Sequence, residues 1–101
     1  MDIHIELMGR AFESLETLPE AISFGVFAKI DQLRTFPEMG TPLGPRYPKL
    51  KAYRQILYKN SIRVIYEFDE VDKTVYVLMI QDCRQKMPQP RELKRDLSLD
   101  E

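Results

Sequence analysis

Three arginines, Arg54, Arg63 and Arg84, lie on or just after three successive stretches rich in strand-forming residues. Adjacent strands of a sheet are about 4.8 Å apart, so three such side chains could converge on one ligand. The forked donors of arginine suit a phosphate or a carboxylate. The competing interpretation is an exposed ion pair of Arg63 with Glu67 or Asp82, which would contribute under about 1 kcal/mol.

Arg63 carries the strongest of these signals because it sits in the middle of a predicted strand. The strand runs from Ile62 to Phe68, and strict alternation places its mostly apolar residues on one face. Arg63 and Glu67 fall on the other face, where Ile65 is the apolar neighbour. Because an arginine on such a surface is costly to desolvate without a partner, this position favours contact with an anion.

A basic stretch surrounds two of the arginines. Residues 46–63 contain six basic residues and no acidic one, although the whole chain has a net charge of −1. The last ten residues hold four acids and two bases, which leaves 13 bases and 12 acids before them. The local excess could bind phosphate, or it could be a solvated surface. Candidate substrate contacts are Lys49, Lys51, Gln85 and Lys86.

General acid–base chemistry needs a group that titrates near neutral pH, and arginine does not. The candidates are Lys86, Asp82, Tyr53 and Tyr66. Tyr66 is expected to be part of the core, and Tyr53 should face away from Arg54 because adjacent strand residues alternate. His4 is the one histidine, and we expect it to be a surface residue of the first strand.

Several classes of protein find no support in the sequence. With one cysteine and one histidine, neither an internal disulfide nor a Cys/His zinc site is expected. No glycine-rich nucleotide-binding pattern occurs, and no apolar run approaches the roughly 20 residues that span a bilayer. The alternating N-terminus does not resemble a signal peptide. We therefore expect a cytoplasmic protein with no membrane contact, no cofactor and no metal.

The N-terminal half predicts one strand and two helices. Residues 2–8 alternate as a half-buried strand, and residues 11–17 fit a short helix. Thr17 and Glu20 have the spacing of a capping box for a second helix that runs to about Thr35. Its expected buried stripe consists of Ile22, Val26, Ile30 and Leu33. Residues 37–50, with four of the seven prolines, should be a loop, either functional or a simple crossing.

The C-terminal half predicts a meander of three strands. They cover residues 53–58, 62–68 and 74–81, and short polar turns between them imply antiparallel neighbours. The resulting fold class is α+β, in the order β-α-α-β-β-β, with two helices on one face of a twisted antiparallel sheet. We expect one domain over residues 1–91 and a charged tail, either a frayed helix or flexible, over residues 92–101.

This order, with the segments Tyr53–Tyr58, Ile62–Tyr66 and Val75–Ile80, resembles the RelE/ParE superfamily of bacterial toxins. The resemblance covers roughly residues 2–86. Its most specific part is the Arg-Val-Ile-Tyr strand that begins at Arg63, and residues 82–85 look like a D-x-R-Q variant of the family's terminal motif.

The resemblance implies the toxin of a type II toxin–antitoxin system. In ribosome-dependent members the ribose 2′-OH attacks the adjacent phosphate of messenger RNA, without a metal. Arg63 would match the arginine that stabilises the scissile phosphate, and Arg84 the one near the leaving oxygen. Arg54 would match a residue that helps to activate the 2′-OH. Many nuclease members have a tyrosine or histidine shortly after the last arginine, where this chain has Lys86-Met87-Pro88.

That departure keeps two alternatives open. One is a ParE-like toxin that inhibits DNA gyrase without any hydrolytic site. The other is a small RNA-binding or protein-binding domain that is not toxic. Whether the chain is an enzyme is undecided at this point, because function depends on the site and not on the family.

The resemblance also implies an antitoxin protein as partner. Such partners commonly wrap a disordered or amphipathic segment around the toxin. Phe24 and Phe27 lie outside the predicted buried stripe of the second helix, so they are candidate antitoxin contacts. Alternatively, both pack against the first helix.

Overall fold

The structure, a computed structural model, describes residues 2–95 as an α+β fold. Its elements are β1 (His4–Leu7), α1 (Gly9–Thr17), α2 (Glu20–Asp31), a 3₁₀ helix (Gln32–Arg34), β2 (Thr41–Pro42), a 3₁₀ helix (Pro48–Leu50), β3 (Arg54–Tyr58), β4 (Ile62–Asp69), β5 (Thr74–Asp82) and a 3₁₀ helix (Pro90–Leu93). The predicted order of two helices and four longer strands is confirmed, and the predicted loop contributes the two-residue strand β2. Among residues 2–95, no helix has both the length and the apolar character needed to cross a membrane.

The sheet is mixed, in the order β1-β5-β4-β3-β2. The meander β3-β4-β5 and the short β2 are antiparallel, but β1 runs parallel to β5, with Ile5 beside Val75. The prediction of a wholly antiparallel sheet was therefore wrong. Short turns fix the directions of the meander strands, whereas β1 reaches β5 only after the chain has passed through both helices and the meander.

Both helices pack on one face of the sheet. The core between them contains Ala11, Leu15, Val26, Ile30, Leu33, Ile56, Ile62, Val64, Tyr66, Val75, Val77 and Ile80. Val26, Ile30 and Leu33 confirm most of the predicted stripe, but Ile22 is 37% exposed, so its assignment to the stripe was wrong. Ile22 lies in the first turn of α2, one turn before the stripe begins.

The predicted capping box at Thr17 was wrong as well. Thr17 is the last residue of α1, and its hydroxyl donates to the carbonyl of Ser14 at 2.8 Å. Pro19 takes the N-cap position of α2 without any side-chain cap. A capping box occurs instead near the C-terminus, where the backbone N–H of Gln89 donates to the carboxylate of Glu92 at 2.8 Å.

The second face of the sheet is covered by the chain's own loops. A second apolar cluster on this face contains Leu43, Leu50, Ile65, Leu78, Met79 and Leu93. The loop before β3 supplies Leu43 and Leu50, and the segment after β5 supplies Leu93. Hence the loop of residues 37–50 does more than cross between elements, because part of it buries the sheet.

A β-bulge in β5 shapes this face. The pairing of Ile65 with Met79 and of Tyr66 with Val77 leaves Leu78 as an extra residue. Alternation changes phase there, so Leu78 and Met79 both join the second cluster. Strict alternation from Val75 and Val77 would have pointed Gln81 into the helix-side core, whereas the bulge turns it to the loop-covered face.

The packed chain continues beyond residue 91, the predicted domain boundary. Leu93 is 1% exposed, and the Arg95 side chain forms ion pairs with Glu67 and Asp69, each at 3.2 Å. The Arg95 guanidinium also lies 3.7 Å from the ring centroid of Tyr76. Residues 92–95 of the predicted tail thus pack on the sheet, and the rest of that tail lies outside the described residues.

Candidate functional site

Arg63 lies on the loop-covered face of β4, between Ile62 and Val64, which are buried on the helix side. Its strand neighbours are Leu57 on β3 and Gln81 on β5. We call Arg63, Gln81 and the turn of residues 82–85 the Arg63 site. The site occurs where β5 ends and β4 begins, so the sheet presents it at one end of the meander.

Within residues 2–95, the guanidinium of Arg63 is held by neutral oxygens. Its Nη1 donates to the side-chain Oε1 of Gln81 and, at 3.3 Å, to the carbonyl of Gln85. Its Nη2 donates to the carbonyl of Cys83 at 3.3 Å, and its buried Nε has no partner among the described residues. No carboxylate in residues 2–95 forms an ion pair with it. The arginine is therefore oriented while its charge stays uncompensated, which suits an incoming anion.

The turn after β5 is fixed by hydrogen bonds of its own. The side-chain Oε1 of Gln85 accepts from the backbone N–H of Asp82 at 3.0 Å, and the Gln85 N–H donates to the Asp82 carbonyl at 3.0 Å. The N–H of Cys83 donates to the carbonyl of Ser61 at 2.9 Å, which ties the turn to the start of β4. The backbone carbonyls that hold Arg63 are thus positioned before any ligand arrives.

Arg84 projects from this turn and pairs with Asp82 through two hydrogen bonds, at 3.0 and 3.1 Å. The hydrogen bonds from the Arg84 side chain and N–H hold the pKa of Asp82 below its ordinary value, and Asp82 raises the pKa of Arg84. The Arg84 side chain is 91% exposed, so the pair contributes little to stability. Arg84 can therefore turn towards a phosphate beside Arg63 at small cost.

Arg54 does not join the other two arginines. It pairs across the strands with Tyr66 on the helix side of the sheet, near the other end of the meander. Its Nη1 donates to the carbonyls of Glu38 and Gly40, at 3.1 and 2.8 Å. The expected convergence of all three arginines was therefore wrong for Arg54. It anchors the loop after α2. Arg63 pairs with Leu57 on β3, and Arg54 is three positions from Leu57, so the two arginines lie on opposite faces of the sheet. The sequence alone does not show this register.

The predicted substrate contacts separate into two groups. Gln85 belongs to the Arg63 site, and Lys86 is exposed directly after it. Lys49 lines a cleft formed with residues 87–90 on the same face of the sheet. Lys51 lies elsewhere, in a depression that also contains Arg54 and the acidic residues 38, 67, 69 and 70. Thus Lys49, Gln85 and Lys86 share a region of the surface, and Lys51 does not.

The acid–base candidates differ sharply in access. Tyr66 is fully buried, and its hydroxyl donates to the Pro37 carbonyl at 2.7 Å and accepts from the Gly40 N–H at 2.9 Å. Burial raises the pKa of Tyr66 and also that of Tyr53, which packs on the second cluster. His4 is bound to Glu6 on the edge strand β1. Besides Asp82, which is paired with Arg84, the candidate near the Arg63 site is Lys86.

No group of three or more His, Cys, Asp or Glu side chains within residues 2–95 is arranged to hold a metal ion. The anion-binding feature described above is the guanidinium of Arg63, which Gln81 and backbone carbonyls hold in place.

Comparisons with known proteins give structural matches alone. No protein-family model matches the chain, and no curated protein does. A chain of the toxin–antitoxin complex RelBE2 from Mycobacterium tuberculosis aligns with a TM-score of 0.66 at 24% identity, over 81% of this chain and 92% of that one. The isolated RelE toxin of E. coli aligns with a TM-score of 0.68 at 15% identity, over 83% and 87%. The archaeal RelE–RelB complex from Pyrococcus horikoshii gives 0.55 at 18% identity, over 85% and 100%.

This chain has the RelE fold. On that fold, sequence reasoning missed the role of Gln81, because the bulge at Leu78 breaks the alternation on which the assignment of faces depends. It also missed Arg95, whose acidic and aromatic partners are spread over β4 and β5. The signal for Gln81 would have been the two adjacent apolar residues Leu78 and Met79 in an otherwise alternating strand.

The α2 surface of this RelE fold keeps two large apolar side chains in solvent. Phe24 is 77% exposed and Phe27 is 46% exposed. They lie one turn apart between the charged residues Glu20 and Asp31. Phe24 therefore does not pack against α1, and both phenylalanines remain candidates for contact with a partner.

Proposed function

We propose that this protein is the toxin of a type II toxin–antitoxin system and that it blocks translation by ribosome-dependent cleavage of messenger RNA. The observation that carries the proposal is the guanidinium of Arg63, which neutral acceptors hold at one end of the meander and which forms no ion pair with any residue from 2 to 95. The RelE fold supports it, since the similar structures include a chain of a toxin–antitoxin complex and an isolated RelE toxin.

In this reaction the ribose 2′-OH attacks the adjacent phosphorus, and the bond to the leaving 5′ oxygen breaks. Negative charge grows on the phosphate oxygens, and a positioned cation stabilises it in the transition state. Arg63 has that role in our proposal, and Arg84 leaves Asp82 to bind near the leaving oxygen. Lys86 is exposed directly after Gln85, and the ribosome would supply further groups. The protein would act in the cytoplasm, where the ribosomes are.

The deciding experiment is controlled expression in bacteria without a partner. Labelled amino-acid incorporation should fall before thymidine incorporation, and primer extension should detect new messenger RNA ends that require ribosomes. Arg63→Ala should abolish these effects. Arg34→Ala is a matched control, because Arg34 is exposed and its partners, Asp31 and the Ile3 carbonyl, lie outside the Arg63 site. Vigorous growth with abundant folded protein would instead favour a non-toxic binding domain.

A ParE-like inhibitor of DNA gyrase is the second candidate. The observation in its favour is that no accessible tyrosine or histidine follows Arg84, where the sequence has Lys86, Met87 and Pro88. That mechanism predicts DNA damage and loss of supercoiling activity, with messenger RNA intact and thymidine incorporation falling first.

A cognate antitoxin is the proposed partner in either case. We expect its apolar anchors to cover Phe24 and Phe27 on α2, and an acidic segment to reach Arg63 and Arg84. Burying the two exposed rings would give much of the binding free energy, because aromatic side chains dominate such interfaces.

A further inference from the structure

The cleft between residues 46–50 and 87–90 has features of a nucleotide-binding site. Its volume is about 390 Å³, within the range of small-ligand sites. Its walls include Tyr47, Pro48, Met87 and Pro88, while Arg46 supplies a cation at one side. Flat apolar walls combined with positive charge suit a ligand that has both a ring and an anion.

The charged residues that line the cleft are all basic. Arg46 and Lys49 are exposed, and no acidic residue lines the cleft. Neither side chain forms an ion pair with another described residue. The Arg46 guanidinium lies 6.0 Å from the centroid of the Tyr47 ring, so charge and ring are presented together. This pattern complements a nucleotide, whose base can stack on a tyrosine while its phosphate meets a cation.

Both walls of the cleft are fixed by the fold. On one side, the N–H of Tyr47 donates to the Leu43 carbonyl at 2.8 Å, and the N–H of Leu50 donates to the Tyr47 carbonyl at 2.7 Å. Leu43 and Leu50 are themselves buried in the second cluster. This wall therefore requires little ordering when a ligand binds.

The opposite wall is held in place by the segment after β5. Pro88 is buried, and the capping box of Gln89 and Glu92 caps the N-terminus of the short 3₁₀ helix that follows it. The Arg10 side chain donates to the carbonyl of Glu92 at 2.6 Å and ties this wall to α1. The cleft is thus largely formed in the free protein.

The cleft is close to the Arg63 site along the chain. Met87 is three residues after Arg84, a span of at most about 11 Å. A single RNA strand can therefore contact both places. We propose that the cleft binds the base of a nucleotide next to the scissile phosphate, stacked on Tyr47, with a flanking phosphate on Lys49. This inference rests on the proposed function, and it adds a binding site for an unpaired nucleotide beside the reacting one.

The test uses the intact ¹⁵N-labelled protein and a trinucleotide RNA methylated at every 2′ oxygen, which cannot be cleaved. Amide signals of Tyr47, Lys49 and Met87 should shift on titration, together with those of Arg63 and Gln85. The same RNA with one base removed should bind about 5- to 150-fold more weakly, the range expected for one stacked base. In Tyr47→Ala, base removal should have no further effect on affinity.

Lys49→Gln should weaken binding and reduce the slope of log affinity against log salt by about 0.7, as for one phosphate of a single strand. Phe12→Ala, on α1, and Lys29→Gln, on α2, are the matched controls and should leave both quantities unchanged. The base-removal comparison in the unmutated protein keeps the test valid even if Tyr47→Ala folds poorly.

Three results would overturn the inference. Shifts at Arg63 and Gln85 without shifts at Tyr47, Lys49 and Met87 would refute the cleft but leave the proposed function intact. An absence of shifts in both places would count against both. If hexaglutamate shifted the cleft amides and RNA bound equally well with or without the base, the cleft would belong to an acidic protein segment.

Discussion

Arg63 on β4 donates to the side-chain oxygen of Gln81 on β5, a neutral acceptor directly across the strands. Gln81→Glu should place a carboxylate against Arg63 and neutralise it. Because the ion pair would replace the anion, we expect toxicity to fall at least tenfold while the thermal stability stays equal or rises. Gln81→Ala is the comparison and should keep more activity than Gln81→Glu. Equal toxicity of wild type and Gln81→Glu would show that the charge of Arg63 is not used.

The pair of Asp82 and Arg84 predicts a pH-dependent difference in stability. The pKa of Asp82 is lowered in the folded protein from 3.8, chiefly by the hydrogen bond from the Arg84 side chain. A carboxylate whose pKa is lower in the folded state stabilises the fold at pH values above its pKa in the unfolded state. This contribution is lost as the pH falls through the folded-state pKa. The stability of the wild type relative to Asp82→Asn should therefore be constant from pH 7 to about pH 5 and shrink below about pH 4. Urea unfolding at each pH measures it, and a difference that grew on acidification would contradict the assignment.

Tyr66 should be structural and not catalytic. Its hydroxyl bonds to Pro37 and Gly40 on the helix side, opposite the face of Arg63. Tyr66→Phe should leave those backbone groups unsatisfied and lower the unfolding free energy by about 1–3 kcal/mol. Growth arrest per amount of folded protein should be unchanged. A loss of RNA cleavage without a loss of stability would reverse this conclusion.

The exposure of Phe24 and Phe27 on α2 predicts that the antitoxin binds there. Changing both to serine should weaken binding of the antitoxin encoded beside the gene, while toxicity and stability change little because both rings are exposed. Phe36→Ser is the matched control, since Phe36 is 63% exposed but lies outside α2. Unchanged affinity in a calorimetric titration of the double variant would restrict the antitoxin to the sheet and the segments around it.

Arg95 should stabilise the fold although it follows the predicted domain boundary. Arg95→Ala removes two ion pairs and the contact with Tyr76, which together are worth about 1–3 kcal/mol. Arg91→Ala, at an exposed position in the preceding 3₁₀ helix, should have almost no effect. Equal urea midpoints for the two variants would mean that the contacts of Arg95 do not stabilise the fold.

Local signals predicted the meander well. The three-residue turn between β3 and β4 has positive φ angles at Lys59 and Asn60, 50° and 57°, and the Ser61 N–H donates to the Tyr58 carbonyl at 3.0 Å. The length of this turn and the alternation in β4 were enough to assign the face of Arg63 correctly. These features depend on residues close together in the chain, so the sequence shows them directly.

Long-range features were harder to predict. The direction of β1 depends on its pairing with β5, about 70 positions later, for which no local pattern exists. The position of Arg54 depends on the register between two strands and on carbonyls of the loop after α2. The exposure of Ile22 depends on where α2 crosses the sheet. Each of these is decided by packing between distant segments.

The pairing of β1 with β5 also determines when the sheet can be completed during synthesis of the chain. β1 is synthesised before the meander, and Val75, the partner of Ile5, is added 70 residues after it. Every acceptor that orients Arg63 lies at residue 81 or later. A nascent chain that has not yet reached residue 81 therefore contains Arg63 without the groups that orient its guanidinium.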